Sequence, residues 1–307
     1  MGRNMMIRSK LRTPVCLVIL VFPVLANLVE HCASAILVAL TLPGIFVLLF
    51  WKDRPALTGA QKAVMWAFAG YFGVYLFSFA VNGLLGNLPE PRLKHLDHEV
   101  RLLFVFPIFM LLRYLDISPK ILWSAVVLGA AAAGLHAGVQ FFWLSPGERV
   151  SGAYHPIAFG DIALALGFMS VTAVGWLKKW HPAGPLIPLT AFFLGLAAAI
   201  LSETRGALIA APILLCILYF YAGGYLKTAS RLLLLALCCA AALAVYKMPS
   251  IHVVDRFEEI RTEISDYSRG VRKYSAVTTR IEGWRAAWDI FSENPVIGAG
   301  PDRKSTR

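Results

Sequence analysis

The sequence consists largely of apolar runs that are each close to the length needed to cross a lipid bilayer. A membrane-spanning helix requires about 20 mostly apolar residues. Nine runs approach this length: 14–30, 33–51, 63–86, 100–115, 120–144, 155–177, 185–202, 206–223 and 230–247. Only 15% of the residues are charged, against about 25% in soluble domains. The chain is therefore predicted to be an all-α, polytopic membrane protein with about nine transmembrane helices.

Lysine and arginine residues are distributed unequally between alternate loops of this arrangement. In membrane proteins the short cytoplasmic loops carry the excess of basic residues. The richer side holds Arg3, Arg8, Lys10, Arg12, Lys52, Arg54, Lys62, Arg113, Lys120, Lys178, Lys179, Lys227 and Arg231, and the opposite short loops hold Arg92, Lys94, Arg101, Arg149 and Arg205. This pattern predicts a cytoplasmic N-terminus and places the residues after 247 outside. It explains the net charge of +11 by topology and anionic lipid rather than by nucleic-acid binding.

Two consecutive apolar runs, 185–202 and 206–223, are separated only by the tripeptide ETR, which predicts a tight helical hairpin. Arg205 then lies at the outer membrane boundary, where a charge costs little. Glu203 is two residues away and could form a surface ion pair with Arg205, worth about 0–1 kcal/mol. Alternatively, the planar guanidinium of Arg205 binds the phosphate oxygens of a lipid or pyrophosphate. The residues alone leave both interpretations open.

Two further charged residues lie at the outer ends of apolar runs. Arg101 opens the run 100–115, where it either extends to the lipid headgroups or contacts an anion. Asp161 lies one turn into the run 155–177. An acidic residue inside a membrane span needs a partner or a function, and for Asp161 a structural hydrogen bond is the simpler interpretation.

The sequence predicts neither a metal site nor a cofactor. His95, His98 and Glu99 lie close together in an outer segment, but no third firm ligand accompanies the two histidines. The cysteines lie within or at the edges of apolar runs, which favours a packing role. They are Cys16, Cys32, Cys216, Cys238 and Cys239.

The chain divides into a predicted transmembrane domain, 1–247, and the start of a large outer loop, 248–301. Within this loop an amphipathic helix is predicted near 279–293. Thr279 and Glu282 form a capping-box pattern at its start, and the pair Asn294-Pro295 ends it. One face carries apolar residues at helical spacing, which suits a helix lying at a membrane interface. These residues are Ile281, Trp284, Trp288 and Phe291.

Four segments, taken together, resemble the bacterial O-antigen ligase and O-antigen polymerase superfamily. LSETRGALIAAP (201–212) resembles that family's S-x-S/T-R-G helix start. TTRIEGWRAAWDIFSENPVIGAGP (278–301) looks like its R-x-x-x-W-x-x-A…P-x-x-G-x-G block. RVSGAYHPIAFGDIALALG (149–167) is similar to the block that precedes them, and HEVRLLFVFPIFMLLRYL (98–115) is similar to the ligase branch in particular.

The resemblance implies a metal-independent glycosyltransferase of the bacterial inner membrane, working on the periplasmic side. Such enzymes take a glycan from undecaprenyl pyrophosphate, and ligases transfer it to lipid A–core. The family's periplasmic arginines are thought to hold the donor pyrophosphate. By motif position this role falls on Arg205 and Arg280, with Arg101 and Asp161 as possible secondary residues. The implied partners are thus a lipid-linked glycan, a lipid A–core acceptor and membrane lipids.

The resemblance also implies a catalytic histidine further along the periplasmic loop. The sequence ends at Arg307, before that position, and His252 precedes the arginine motif, so it does not match. We therefore expect a C-terminally truncated chain without transfer activity of its own.

The last six residues, DRKSTR, can be back-translated as GATCGGAAGAGCACACGT. This resembles a common sequencing-adapter sequence preceded by one further A. It predicts that 302–307 are not native, and resequencing the locus tests this.

Two other functions remain as alternatives to the ligase. A polymerase of the same superfamily would use the same donor but transfer the glycan to another lipid-linked glycan. A transporter or flippase would be expected to show inverted repeats and charges near the bilayer midplane. No internal repeat is found, and the notable arginines lie at the outer edge.

Overall fold

The computed structural model describes residues 2–52, 55–85, 100–179, 181, 183–221, 228, 231–232, 235–240, 253–269 and 275–295. Every regular element within these ranges is helical. In chain order they are α1 (Gly2–Leu28), α2 (Cys32–Phe50), α3 (Gly59–Leu84), α4 (Val105–Leu115), α5 (Pro119–Val139), α6 (Pro156–Val171), α7 (Val174–Leu177), α8 (Leu186–Leu201), α9 (Arg205–Tyr221), α10 (Val253–Ser268) and α11 (Ala276–Glu293).

Short irregular turns extend two of these helices. A 3₁₀ turn at Arg101–Phe104 leads into α4, so the short predicted run 100–115 is helical throughout. A π turn at Gln140–Leu144 continues α5. The start of α5 is fixed locally, because the Ser118 side chain accepts a hydrogen bond from the Lys120 N–H and Pro119 occupies the first helical position.

Five helical segments of the described residues are long and apolar enough to cross a membrane. They are Arg8–Leu28, Cys32–Phe50, Gly59–Leu84, Pro119–Leu144 and Pro156–Leu177. Leu186–Leu201 and Ala210–Phe220 are apolar but shorter. The all-helical, multi-spanning character is thus confirmed. The number of nine spans stays a prediction, and most of the run 230–247 lies outside the described residues.

The chain separates into two compact units. The first comprises Met1–Ala39 and Leu115–Arg256, and the second comprises Leu40–Tyr114 and Phe257–Arg307. The predicted division at 247 into a transmembrane domain and a loop stays a prediction.

The first unit is built on close contacts between α5, α6 and α8. The glycine- and alanine-rich segment 128–138 of α5 lies here. A Cβ atom added to Gly134 would lie 2.6 Å from the carbonyl carbon of Leu194, and one added to Gly195 would lie 2.7 Å from the Ala163 oxygen. Small residues thus bring these backbones into direct contact, as is common in membrane helices. Around them pack the buried residues Ala133, Ala137, Phe141, Phe159, Leu164, Phe168 and Phe192.

Polar contacts within the first unit separate into two sets at opposite ends of its helices. At one end Arg8 and Arg12 contact Asp116, just before α5. At the other end the Asn27 carbonyl accepts a hydrogen bond of 2.9 Å from the Ala153 N–H. The helices α1 and α5 therefore start at the same end, as the predicted topology requires. Which end is cytoplasmic stays a prediction.

The second unit contains its own close helix contact. A Cβ atom at Gly44 in α2 would collide with the backbone carbonyl of Pro107 in α4. Near the end of α4, Arg113 donates hydrogen bonds to the carbonyls of Pro55 and Ala56, at 3.1 and 3.2 Å. The charge pattern assigns Arg113 and this loop to the same side, and the contact agrees with that assignment.

The helix α11 begins three residues earlier than the sequence predicts. Ser275 is extended, at φ −125° and ψ 165°, and forms a reciprocal capping box with Thr278. Thr279, the predicted cap, lies inside the first turn and donates to the Ser275 carbonyl at 2.8 Å. The predicted end is confirmed, because α11 stops at Glu293 with Asn294 as its C-terminal cap.

Two glycines on α5 allow a matched test of the close helix contact. Gly134→Ala should destabilise the chain by about 1–3 kcal/mol, because the added methyl group overpacks α5 against α8. Gly138→Ala should be tolerated, since no atom lies within 4 Å of its added Cβ. Thermal unfolding of both variants in detergent measures the difference, and equal stability would contradict the close contact.

Candidate functional site

The hairpin between α8 and α9 has a tip of three residues, Ser202, Glu203 and Thr204. The helix α8 ends at Leu201 and α9 begins at Arg205, which confirms the predicted tight turn. Glu203 has φ +50°, in the left-handed region that non-glycine residues rarely occupy. A residue held in this conformation requires surrounding contacts that outweigh its strain.

Two buried hydroxyl groups supply part of this support. Ser202 and Thr204 are 0% and 1% exposed. The Ser202 hydroxyl donates to the Ala199 carbonyl at 2.7 Å and lies 2.8 Å from the Thr204 hydroxyl, and the latter donates to the Pro156 carbonyl at 3.2 Å. The tip is therefore hydrogen-bonded to the first turn of α6.

Gly160 makes room for these hydroxyls. A Cβ atom at this position would collide with the Ser202 hydroxyl and lie 2.7 Å from that of Thr204. The glycine is thus required where the hairpin tip meets α6.

Arg149 also holds the tip, through hydrogen bonds to its backbone. Its Nε and Nη2 donate to the Ser202 carbonyl at 3.2 and 3.1 Å, and Nη2 also donates to the Glu203 carbonyl at 3.5 Å. Its Nε lies 3.8 Å from Oε2 of Glu203. The structure therefore gives Glu203 an ion-pair partner other than the Arg205 considered from the sequence.

The segment after Arg149 joins several helix ends to this tip. The Val150 N–H donates to the Leu201 carbonyl at 3.2 Å. Ser151 interacts through its carbonyl with His136 Nε2, at 2.9 Å, and through its N–H with Gln140 Oε1, at 3.2 Å. Together with the Asn27–Ala153 contact, these bonds gather the ends of α1, α5 and α8 around residues 149–153.

Asp161 lies beside the first turn of α9. Its side chain is exposed, and Oδ1 lies 3.8 Å from the position of a Cβ atom on Gly206. Asp161 and the residue after Arg205 are thus neighbours, although they are distant in sequence. The Thr204–Pro156 hydrogen bond also joins the residue before α9 to the first residue of α6.

The three candidate arginines have different positions in the fold. Arg205 is the first residue of α9, in the first unit. Arg280 lies in the first turns of α11 and Arg101 opens the 3₁₀ turn before α4, both in the second unit and both exposed. The use of Arg205 and Arg280 by one donor stays a prediction.

An exposed aromatic stripe runs along α11. Trp284, Trp288 and Phe291 are 71%, 68% and 54% exposed. The rings of Trp288 and Phe291 lie 5.8 Å apart, and on another side of the helix Arg285 stacks over Tyr267 at 5.2 Å. The predicted amphipathic helix is thus present, while its location at the membrane interface stays a prediction.

Within the described ranges, no three histidine, cysteine, aspartate or glutamate side chains form a group able to hold a metal ion. His95, His98 and Glu99 lie outside the described residues, as do 302–307. The five cysteines form no disulfide.

Residues 190–307 match the family model described as O-Antigen ligase. The match covers well under half of the chain and includes most of α8, the hairpin tip, α9 and α11. It supports the O-antigen ligase superfamily, and with it a glycosyltransferase-like membrane protein acting on lipid-linked glycans. Arg205 and Arg280 lie inside the matched region, whereas Arg101, Arg149 and Asp161 precede it. No curated protein matches the chain.

Sequence reasoning missed the contribution of Arg149. It assigned this residue only to the outer loops, because a lone arginine after the turn sequence SPGE carries no signal of its partner. The contact joins positions 53 residues apart, and tertiary packing of the helices brings them together.

The contact of the hairpin tip with α6 can be tested at two glycines, Gly160 and Gly206. Gly160→Ala should destabilise the tip by about 1–3 kcal/mol, because the methyl group displaces two hydrogen-bonded hydroxyls. Gly206→Ala is the control, since its nearest atom would be Asp161 Oδ1 at an ordinary 3.8 Å. Hydrogen exchange over 201–206 should accelerate in Gly160→Ala alone. Unchanged exchange in this variant would contradict the described contact between the tip and α6.

Spin labels on α11 can test the predicted membrane interface. In a variant with all five cysteines replaced by alanine, a label at Trp284→Cys should be accessible to oxygen, which concentrates in lipid. A label at Glu282→Cys should be accessible to a water-soluble nickel complex. Equal accessibility to the nickel complex at both positions would show that the aromatic stripe faces water.

Proposed function

We propose that this chain is an O-antigen ligase-like glycosyltransferase. Enzymes of this type take a glycan from undecaprenyl pyrophosphate and transfer it to lipid A–core at the periplasmic face of the bacterial inner membrane. The observation that carries the proposal is the match of residues 190–307 to the O-antigen ligase family. The matched region contains both arginines of the proposed donor site.

The chemistry of the reaction explains the need for arginine. A hydroxyl oxygen of the acceptor attacks the anomeric carbon of the donor sugar, and the bond from that carbon to the pyrophosphate oxygen breaks. The acceptor proton is released to a base, a role that the family resemblance assigns to a histidine. Negative charge grows on the departing pyrophosphate, and fixed cationic donors stabilise that charge in the transition state.

Arg205 is suited to this role by its backbone position. It follows directly on the tip that Ser202, Thr204 and Arg149 immobilise. A backbone held in place at the start of α9 limits the reorganisation needed when the donor binds. Arg280, exposed on α11, is proposed as the second cation at the pyrophosphate.

Asp161 and Arg101 are proposed in secondary roles. Asp161 lies beside Gly206, the residue that follows Arg205 in the chain. Arg101, exposed before α4, can contact a lipid phosphate.

A polymerase of the same superfamily is the alternative, because the family match supports both activities. Deleting the gene in its native host separates them. A ligase is indicated if lipid A–core then carries no glycan, and a polymerase if it carries a single repeat unit.

Donor binding tests the roles of the two arginines. The purified chain in lipid nanodiscs should bind undecaprenyl pyrophosphate more tightly than the neutral alcohol undecaprenol. Arg205→Ala and Arg280→Ala should each weaken pyrophosphate binding by about 10-fold or more, the expected cost of one charge-assisted hydrogen bond.

The exposed Arg261 on α10 provides a matched control. Arg261→Ala removes the same charge and should leave binding unchanged. If both site variants bind undecaprenyl pyrophosphate like the unmodified chain, the proposed donor site is wrong.

A further inference from the structure

We infer that Arg149 is a positioning residue for Arg205. This inference rests on the proposed function, because it takes Arg205 to be a donor-binding residue. Arg149 contacts the tip that precedes Arg205, and its Nε and Nη2 are both engaged on that tip. It therefore acts on the donor through the hairpin.

The first part of the argument is electrostatic. Ser202 is the C-terminal cap of α8, and its carbonyl lies at the negative pole of that helix. The guanidinium of Arg149 donates two hydrogen bonds to this carbonyl. It thus satisfies an oxygen that the helix itself leaves without a partner.

The second part concerns Glu203, the residue of the tip with a left-handed backbone conformation. The carboxylate side chain of Glu203 is only 9% exposed, against 37% for Arg149. Arg149 contacts Glu203 at both its carbonyl and its carboxylate. A residue in the left-handed region needs surrounding contacts that outweigh its strain. Loss of Arg149 would remove these two contacts and so weaken the support of the Glu203 conformation.

The third part is the effect on Arg205, two residues further on. Thr204 is held by α6 and Glu203 by Arg149, so these contacts together define the direction in which α9 starts. Loss of the Arg149 contacts frees one of the two anchors. Arg205 would then sample several positions, and donor affinity would fall although its guanidinium is still present.

Lysine cannot reproduce these contacts. The Arg149 fork presents two N–H groups to the Ser202 carbonyl while keeping Nε near the Glu203 carboxylate. A lysine ammonium is a single point charge and would neutralise Glu203 without holding both carbonyls.

A double-mutant cycle in nanodiscs tests the inference, with undecaprenyl pyrophosphate as the probe. Arg149→Gln should weaken binding about 10-fold when Arg205 is present, and less than about 2-fold in the Arg205→Ala background, because coupled residues are non-additive. Equal losses in both backgrounds would mean that Arg149 contacts the donor directly, which overturns the positioning role. Arg149→Lys, which keeps the charge and guards against misfolding, should show the same non-additivity with a smaller loss.

Hydrogen exchange over 201–206 provides a second readout that needs no donor. Arg149→Gln should accelerate exchange there, whereas Arg261→Ala should not. Unchanged exchange overturns the inference. If exchange accelerates while Arg205→Ala leaves donor binding unaltered, the tip contacts stand, and the proposed function of Arg205 fails together with the positioning role that rests on it.

Discussion

The close approach of helix backbones at glycine is the constraint on which the first unit depends. In lipid, apolar surface gains little by leaving its surroundings, so helices associate through close packing and hydrogen bonds. Gly134 and Gly195 bring α5, α6 and α8 into backbone contact. At one end of this unit, the segment 149–153 and the hairpin tip form hydrogen bonds with the helix ends.

The hairpin tip contains polar groups that the fold satisfies internally. The hydroxyls of Ser202 and Thr204 are fully buried, and each has a partner on the tip or on α6. A polar group buried without a partner costs several kcal/mol, or about 1–3 in measured protein variants. These hydrogen bonds thus hold the backbone of the tip in one conformation. They also fix where the backbone of Arg205 begins α9.

The sequence predicts the parts of this structure that follow from local pattern. Apolar runs locate the helices, the tripeptide ETR locates the hairpin, and Asn294-Pro295 locates the end of α11. The start of α11 was misplaced because Ser275 and Thr279 each have a suitable residue three positions later, and the extended backbone at Ser275 decides between them. The contacts of Arg149 and of Asp161 could not be predicted, since each depends on how helices pack rather than on neighbouring residues.

The two arginines beside the hairpin tip lie at opposite helix poles, and this contrast bears on the proposed donor site. Arg149 lies at the negative end of α8, where a cation is stabilising by about 0.3–1 kcal/mol. Arg205 opens α9 at its positive end, where a cation is unfavourable by a similar amount. A positive charge at the start of α9 therefore lowers the stability of the folded chain when no ligand is bound. Because a helix N-terminus and an arginine both attract phosphate oxygens, the same arrangement becomes favourable when a pyrophosphate binds. The position of Arg205 at this helix end is therefore compatible with the proposed donor site.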